Sequence, residues 1–248
     1  MPWSLSPLET LWCATALIVG YAVRGVAGFG SGVVATPLLA FVLPMATTAP
    51  LITLVGLLVS VRQAFRDWHE IRCDAVLRFV PGALVGVPVG LWMVKTADQG
   101  LLARCLGAYV VTYALYSLFG ARMFGRAVAM PRWVVHPIGV LGALISTLFG
   151  GLAGPLYVTY FDSLRLAKGA FRVTVSTTLL TLSIGRSVGY FVTGVFRAED
   201  MILVGAALLP GALGTLAGEW VHARVEQREF RRSVGVLLLL SGAGLLLR

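Results

Sequence analysis

Charge is what this sequence has least of. Of its 248 residues only 12% are Asp, Glu, Lys or Arg, about half the share usual in soluble domains. Three stretches, 33–61, 138–161 and 233–247, hold none at all. The core helix of a soluble protein meets a charge sooner, within about 14 residues, whereas about 20 apolar residues cross a bilayer. With 58% of residues apolar, this scarcity excludes a disordered chain and points to an all-α, polytopic membrane protein.

Acidic residues are scarcer still, 11 against 20 Lys and Arg, which leaves a formal charge of +9. In a soluble chain that balance would suggest a nucleic-acid partner. Here the basic residues sit in short connections between apolar runs, where anionic headgroups and the positive-inside rule account for them. The bilayer is therefore an expected partner and nucleic acid is not. Cysteine is scarce too. Cys13, Cys73 and Cys105 share no metal-ligand spacing, so no metal or cofactor is expected. The N-terminus lacks the positive region of a signal peptide and reads as retained sequence.

What the chain does have is apolar length and glycine. Apolar runs place segments at 8–43, 47–65, 75–94, 101–120, 133–161, 170–194, 201–221 and 230–247. The first would be about 54 Å long as one helix, nearly twice the ~30 Å hydrocarbon core. It and the fifth each carry a central glycine cluster, GVAGFGSGVVATP at 25–37 and STLFGGLAGP at 146–155. Glycine permits a broken backbone and proline restarts a helix, so both segments predict helix, break, helix.

The two halves also resemble each other. Gly28 and Gly32 align with Gly150 and Gly154, Pro81-Gly82-Ala83-Leu84 with Pro210-Gly211-Ala212-Leu213, and Arg104 and Gly107 with Arg232 and Gly235, all at nearly constant offset. Eight single crossings would make the halves parallel and share the basic residues equally between the two sides. If segments one and five are instead hairpins, the connections at 62–78, 122–132, 165–172 and 224–232 lie on one side and hold 14 of the 20 basic residues. The positive-inside rule favours that arrangement. It makes the halves inverted repeats in a single transmembrane domain over 1–248: about 8–120, a cytoplasmic linker at about 121–132, and 133–248.

A helix break exposes backbone N–H groups next to a positive helix terminus, which makes an anion site. Within hydrocarbon such backbone is tolerated only where protein buries it or it lines a cavity. Gly28, Gly30 and Gly32 with Ser31, and Gly150, Gly151 and Gly154 with Ser146, are therefore candidates for binding a substrate; Thr36 and Thr147 stand nearby. Only Arg24 and Arg186 lie well inside apolar segments, and an intramembrane Arg costs about 2.5–3.5 kcal/mol to insert. Both join the candidates, with Ser183 and Thr178 on the polar side of the Arg186 segment. No carboxylate lies at comparable depth, so the substrate is expected to be a small anion.

No catalytic residue is expected. Gly185-Arg186-Ser187-Val188-Gly189 matches GxSxG, but that motif needs a strand-turn-helix elbow. His69, His136 and His222 fall in or beside loops, far from any base position at that depth.

The quoted glycine segments, Tyr157 and the repeated Pro-Gly-Ala-Leu resemble the TauE/SafE family of sulfite and organosulfonate exporters along essentially the whole chain. The resemblance implies export of sulfite, sulfoacetate or related sulfonates across the bacterial inner membrane. Together the readings predict an alternating-access transporter, with an anion channel as the alternative and a membrane-embedded enzyme behind it.

Overall fold

The structure is a computed structural model that describes residues 5–27, 30–66, 68–120, 131–164, 166–222 and 227–247. Every regular element among these is helical. Helix α1, Pro7–Ala27, opens on a capping box, in which Ser6 N–H donates to Glu9 at 2.8 Å and Glu9 N–H to Ser6 Oγ at 3.3 Å. Gly30 follows with φ of 95°, a left-handed conformation that glycine adopts without strain. From it starts α2, Ser31–Leu39, only about 14 Å long and buried nearly all round. The chain turns before Pro44 into α3, Met45–Arg66.

A 3-10 turn at Trp68–Glu70 and the short α4, Cys73–Leu77, lead to α5, Val80–Thr96. The single segment expected at 75–94 is thus two helices. Pro81 stands in the first turn of α5, where it needs no N–H partner, and its ring blocks continuation from α4. On this connection Arg72 Nε bonds Asp74 at 3.2 Å, with Arg78 at 3.7 Å, and this hydrogen bond holds the Asp74 carboxyl below its ordinary pKa. Asp98 caps α6, Gln99–Leu115, which ends in a π turn at Tyr116–Gly120. The linker expected at 121–132 falls mostly outside the described residues.

The second half begins with α7, Val135–Phe149, stopped by Gly150 and Gly151 at φ of 70° and 98°. Helix α8, Gly154–Ser163, is about 15 Å long and resembles α2 in being a half-length arm. Then come α9, Lys168–Val192, α10, Met201–His222, and α11, Gln227–Leu246.

Packing crosses between the halves. Helix α1 packs most extensively on α10, α5 on α7, α6 on α11 and α3 on α9. Apolar side chains gain little by leaving lipid, so such contacts depend on close backbone approach through small residues. A Cβ on Gly82 would stand 2.7 Å from Gly139, one on Gly90 2.7 Å from Thr147 Cβ, and one on Gly107 2.8 Å from the Gly242 carbonyl.

Polarity is distributed as in a membrane protein. Leu84, Val192, Ile202 and Leu240 are exposed on the outside. Thr36, Thr48, Thr53, Ser146, Thr147, Thr174, Thr178 and Arg186 are buried within. Two helical stretches, Gln99–Leu118 and Met201–Trp220, are long and apolar enough to cross a membrane, and several shorter apolar helices accompany them.

Candidate functional site

The two glycine breaks meet. A Cβ on Gly32 would stand 2.6 Å from the Gly150 carbonyl oxygen, and one on Gly150 3.0 Å from the Ala49 carbonyl of α3. Ending α7 in the interior frees carbonyls that need partners, and long-range hydroxyls supply them. Tyr190 of α9 donates to Thr147 O, Thr36 of α2 to Phe149 O at 3.0 Å, and Tyr109 of α6 to Leu152 O at 3.0 Å. The N–H groups of Gly150 and Gly151 both turn back to Ser146 O, so at this break they serve the helix end. Around Gly30 and Gly151 no atom of the described residues beyond their chain neighbours lies within 4 Å of where a Cβ would be. Gly154 opens α8, and Gly28 lies outside the described residues.

Arg186 is the central charged group. It is only 2% exposed, which places an ionised guanidinium among protein atoms. Nη2 donates to Ser183 Oγ at 2.7 Å, and Ser183 in turn donates to Leu179 O at 2.7 Å. Nε and Nη1 have no hydrogen-bond partner among the described residues. Among the described residues no carboxylate forms an ion pair with it, and Tyr190 and Tyr157 are among its electrostatic neighbours.

Tyr157 of α8 is fully buried, its ring edge-on to Phe79 with centroids 5.1 Å apart. It occupies the space over Gly142 of α7, where a Cβ would meet the ring at 2.6 Å. Its hydroxyl lies beside Ser146. The Tyr157 hydroxyl and Ser146 Oγ have no partner but each other among the described residues, and Tyr160 Oη and Thr177 Oγ1 have none. Unpaired buried polar atoms are rare, and each asks for an explanation. Tyr157 and Ser146 thus lie together on α8 and α7, with Arg186 of α9 acting on Tyr157 across the interior.

The other candidates fall differently. Arg24, in the last turn of α1, acts with Tyr21, and its Nη1 lies near Gly56 of α3. Tyr21 also reaches Ser31 and donates to Ile52 O at 3.4 Å. Arg24 and Ser31 thus gather with Tyr21 against α3. Thr178 spends its hydroxyl on Thr174 O at 2.9 Å, and Thr147 spends its own on Ala143 O at 2.7 Å. Sequence reasoning assigned no site role to Tyr157, Tyr160, Tyr190 or Thr177. A signal was available for Tyr157 and Tyr160 alone, which lie in the charge-free stretch 138–161, where a hydroxyl must find a partner.

The family described as Sulfite exporter TauE/SafE matches residues 12–245. A "Probable inner membrane transporter protein TsaS" of Comamonas testosteroni is 24% identical over 200 residues, which cover 79% of this chain and 81% of that protein. No solved structure matches. Family and relative are both transporters rather than enzymes. The chain belongs to the TauE/SafE sulfite exporter family and is a multi-pass membrane transporter.

Proposed function

We propose that this protein exports a small sulfur oxyanion, sulfite or an organosulfonate such as sulfoacetate, by alternating access around Arg186. The observation that carries the reading is the buried guanidinium, whose Nε and Nη1 lack partners among the described residues. A guanidinium suits the oxygens of a sulfonate or sulfite, because charge and hydrogen-bond geometry match together. Gly30, Gly32, Gly151 and Gly154 would frame the site, and Arg24 and Ser31 would line the approach from the first half.

The alternating-access part rests on two inverted repeats, about 8–120 and 133–248, in one domain. In its support, each hairpin's first arm packs on the third long helix of the opposite half: α1 on α10, and α7 on α5. The corresponding pairs α3 with α9 and α6 with α11 also pack on each other. Such reciprocal pairing suits rocking of one repeat against the other around a central site.

Counterflow in proteoliposomes tests the reading. Vesicles preloaded with unlabelled sulfite should transiently accumulate labelled sulfite, and initial rates should saturate. Ohmic, non-saturating anion current across a planar bilayer would replace the carrier by a channel.

A further inference from the structure

We infer that residues 68–79, in the arginine-rich connection between α3 and α5, form a lid that closes the interior on that side, with Phe79 as its plug and Thr174 as its latch. The inference deepens the alternating-access reading above and rests on it for the lid's need to open.

The lid is made of short pieces. The 3-10 turn Trp68–Glu70 and α4, Cys73–Leu77, are joined through Arg72, whose backbone is not helical at φ −85° and ψ 81°. Neither piece is long enough to hold a helix by its own hydrogen bonds, so both depend on what they lie on, and both pack on α9. The segment has two faces. Arg72, Cys73 and Asp74 are exposed, and the Arg72–Asp74 ion pair is too well solvated to hold the segment down. Ala75, Val76 and Phe79 are buried.

Contacts on the inner face close it. The Arg72 N–H donates to Thr174 Oγ1 of α9 at 3.1 Å, and a Cβ on Gly169, in the first turn of α9, would run into the Glu70 carboxylate. Phe79 reaches deeper. Its ring meets those of Tyr157, Tyr160 and Phe161 at centroid distances of 5.1, 5.3 and 5.3 Å. Tyr157 is in turn an electrostatic neighbour of Arg186, which links the plug to the buried guanidinium.

Polar atoms left under the lid point to its opening. Tyr160 Oη and Thr177 Oγ1 are buried without a partner among the described residues. Tyr160 lies against Phe79, and Thr177 stands one helical turn from the latch residue Thr174. A buried hydroxyl without a partner is costly. Lifting the lid would bring water to both hydroxyls and expose Ala75, Val76 and Phe79. A polar gain then opposes an apolar loss, which keeps the closed and open positions close in free energy.

Two measurements on the full chain, with its native cysteines replaced by serine, test the lid. In open membrane fragments Thr177→Cys should react slowly with a small thiol reagent, and adding Phe79→Ala should raise the rate at least about tenfold, because a buried thiol reacts only in the open fraction. A rate already fast with Phe79 in place, or unchanged by Phe79→Ala, would overturn the lid. If Phe79→Ala does not fold, Thr174→Val, which removes only the acceptor at the latch, carries this arm; a several-fold rise is expected and no change would overturn the inference. In proteoliposomes, joining Glu70→Cys to Gly169→Cys with a short reducible cross-linker should stop sulfite counterflow, and reduction should restore it. Undiminished counterflow in the cross-linked protein would contradict the lid. Absence of counterflow in the unaltered protein would instead count against the proposed substrate, and the labelling rates, which involve no transported ion, would then decide the lid alone.

Discussion

An ionised side chain in a chain with so few charges has to be explained at its own position. Arg186 stood out in the sequence because its segment holds no acid to pair with it, and the structure buries it with Tyr157 and Tyr190 as its electrostatic neighbours. The tyrosines were not legible, because the bonds they make span long separations. Tyr190 reaches Thr147 across 43 positions and Thr36 reaches Phe149 across 113, whereas helical periodicity reports only neighbours three or four residues away. Tyr190→Phe should leave the Thr147 carbonyl unpaired in the interior and cost about 1–3 kcal/mol. Thermal unfolding in detergent would read this as a lower midpoint; an unchanged midpoint would mean that water or another donor takes the tyrosine's place.

At the scale of elements, the two breaks were legible because glycine clusters interrupt segments too long to cross once. Gly30, Gly150 and Gly151 do take the left-handed backbone that glycine permits. The partition of 75–94 was not legible, since Pro81 lies in an otherwise continuous apolar run and composition alone does not say whether a proline starts a helix or kinks one. The glycine stripe of α5, Gly82, Gly86 and Gly90, now has a reason: it is the seam on which α7 lies. A Cβ on Gly86 would run into the Val140 carbonyl, which is backbone and cannot swing aside. Gly86→Val should therefore push α5 from α7 and cost roughly 2–3 kcal/mol as overpacking. Gly185→Ala, at a position with open space around it, should be tolerated and serves as the control in the same unfolding assay.

Over the whole molecule, sequence symmetry suggested which stretches correspond but not which helices touch. Each half packs chiefly on the other, so its glycine faces are complementary to helices far away in the chain. That pattern motivates a topological prediction. Residues 62–78 and 224–232, in opposite halves, should face the same compartment, the cytoplasm, because both are rich in arginine. In a background without native cysteines, Arg72→Cys and Arg228→Cys should both resist an impermeant thiol reagent applied outside intact cells and react after permeabilisation. Labelling of only one would make the halves parallel.

The central claim is that a buried, carboxylate-free guanidinium holds the transported anion. Sulfite uptake into proteoliposomes by Arg186→Gln, reconstituted at the density of the unaltered protein and shown to be folded by its unfolding transition, tests it most directly. Loss of the positive charge should abolish saturable uptake, and Arg186→Lys, which keeps the charge but not the planar fork, should retain only weakened uptake. Stability of Arg186→Gln should be equal or higher, because a buried charge without a counterion has been removed. Normal uptake by Arg186→Gln would contradict the account and return the search for the anion to the glycine breaks.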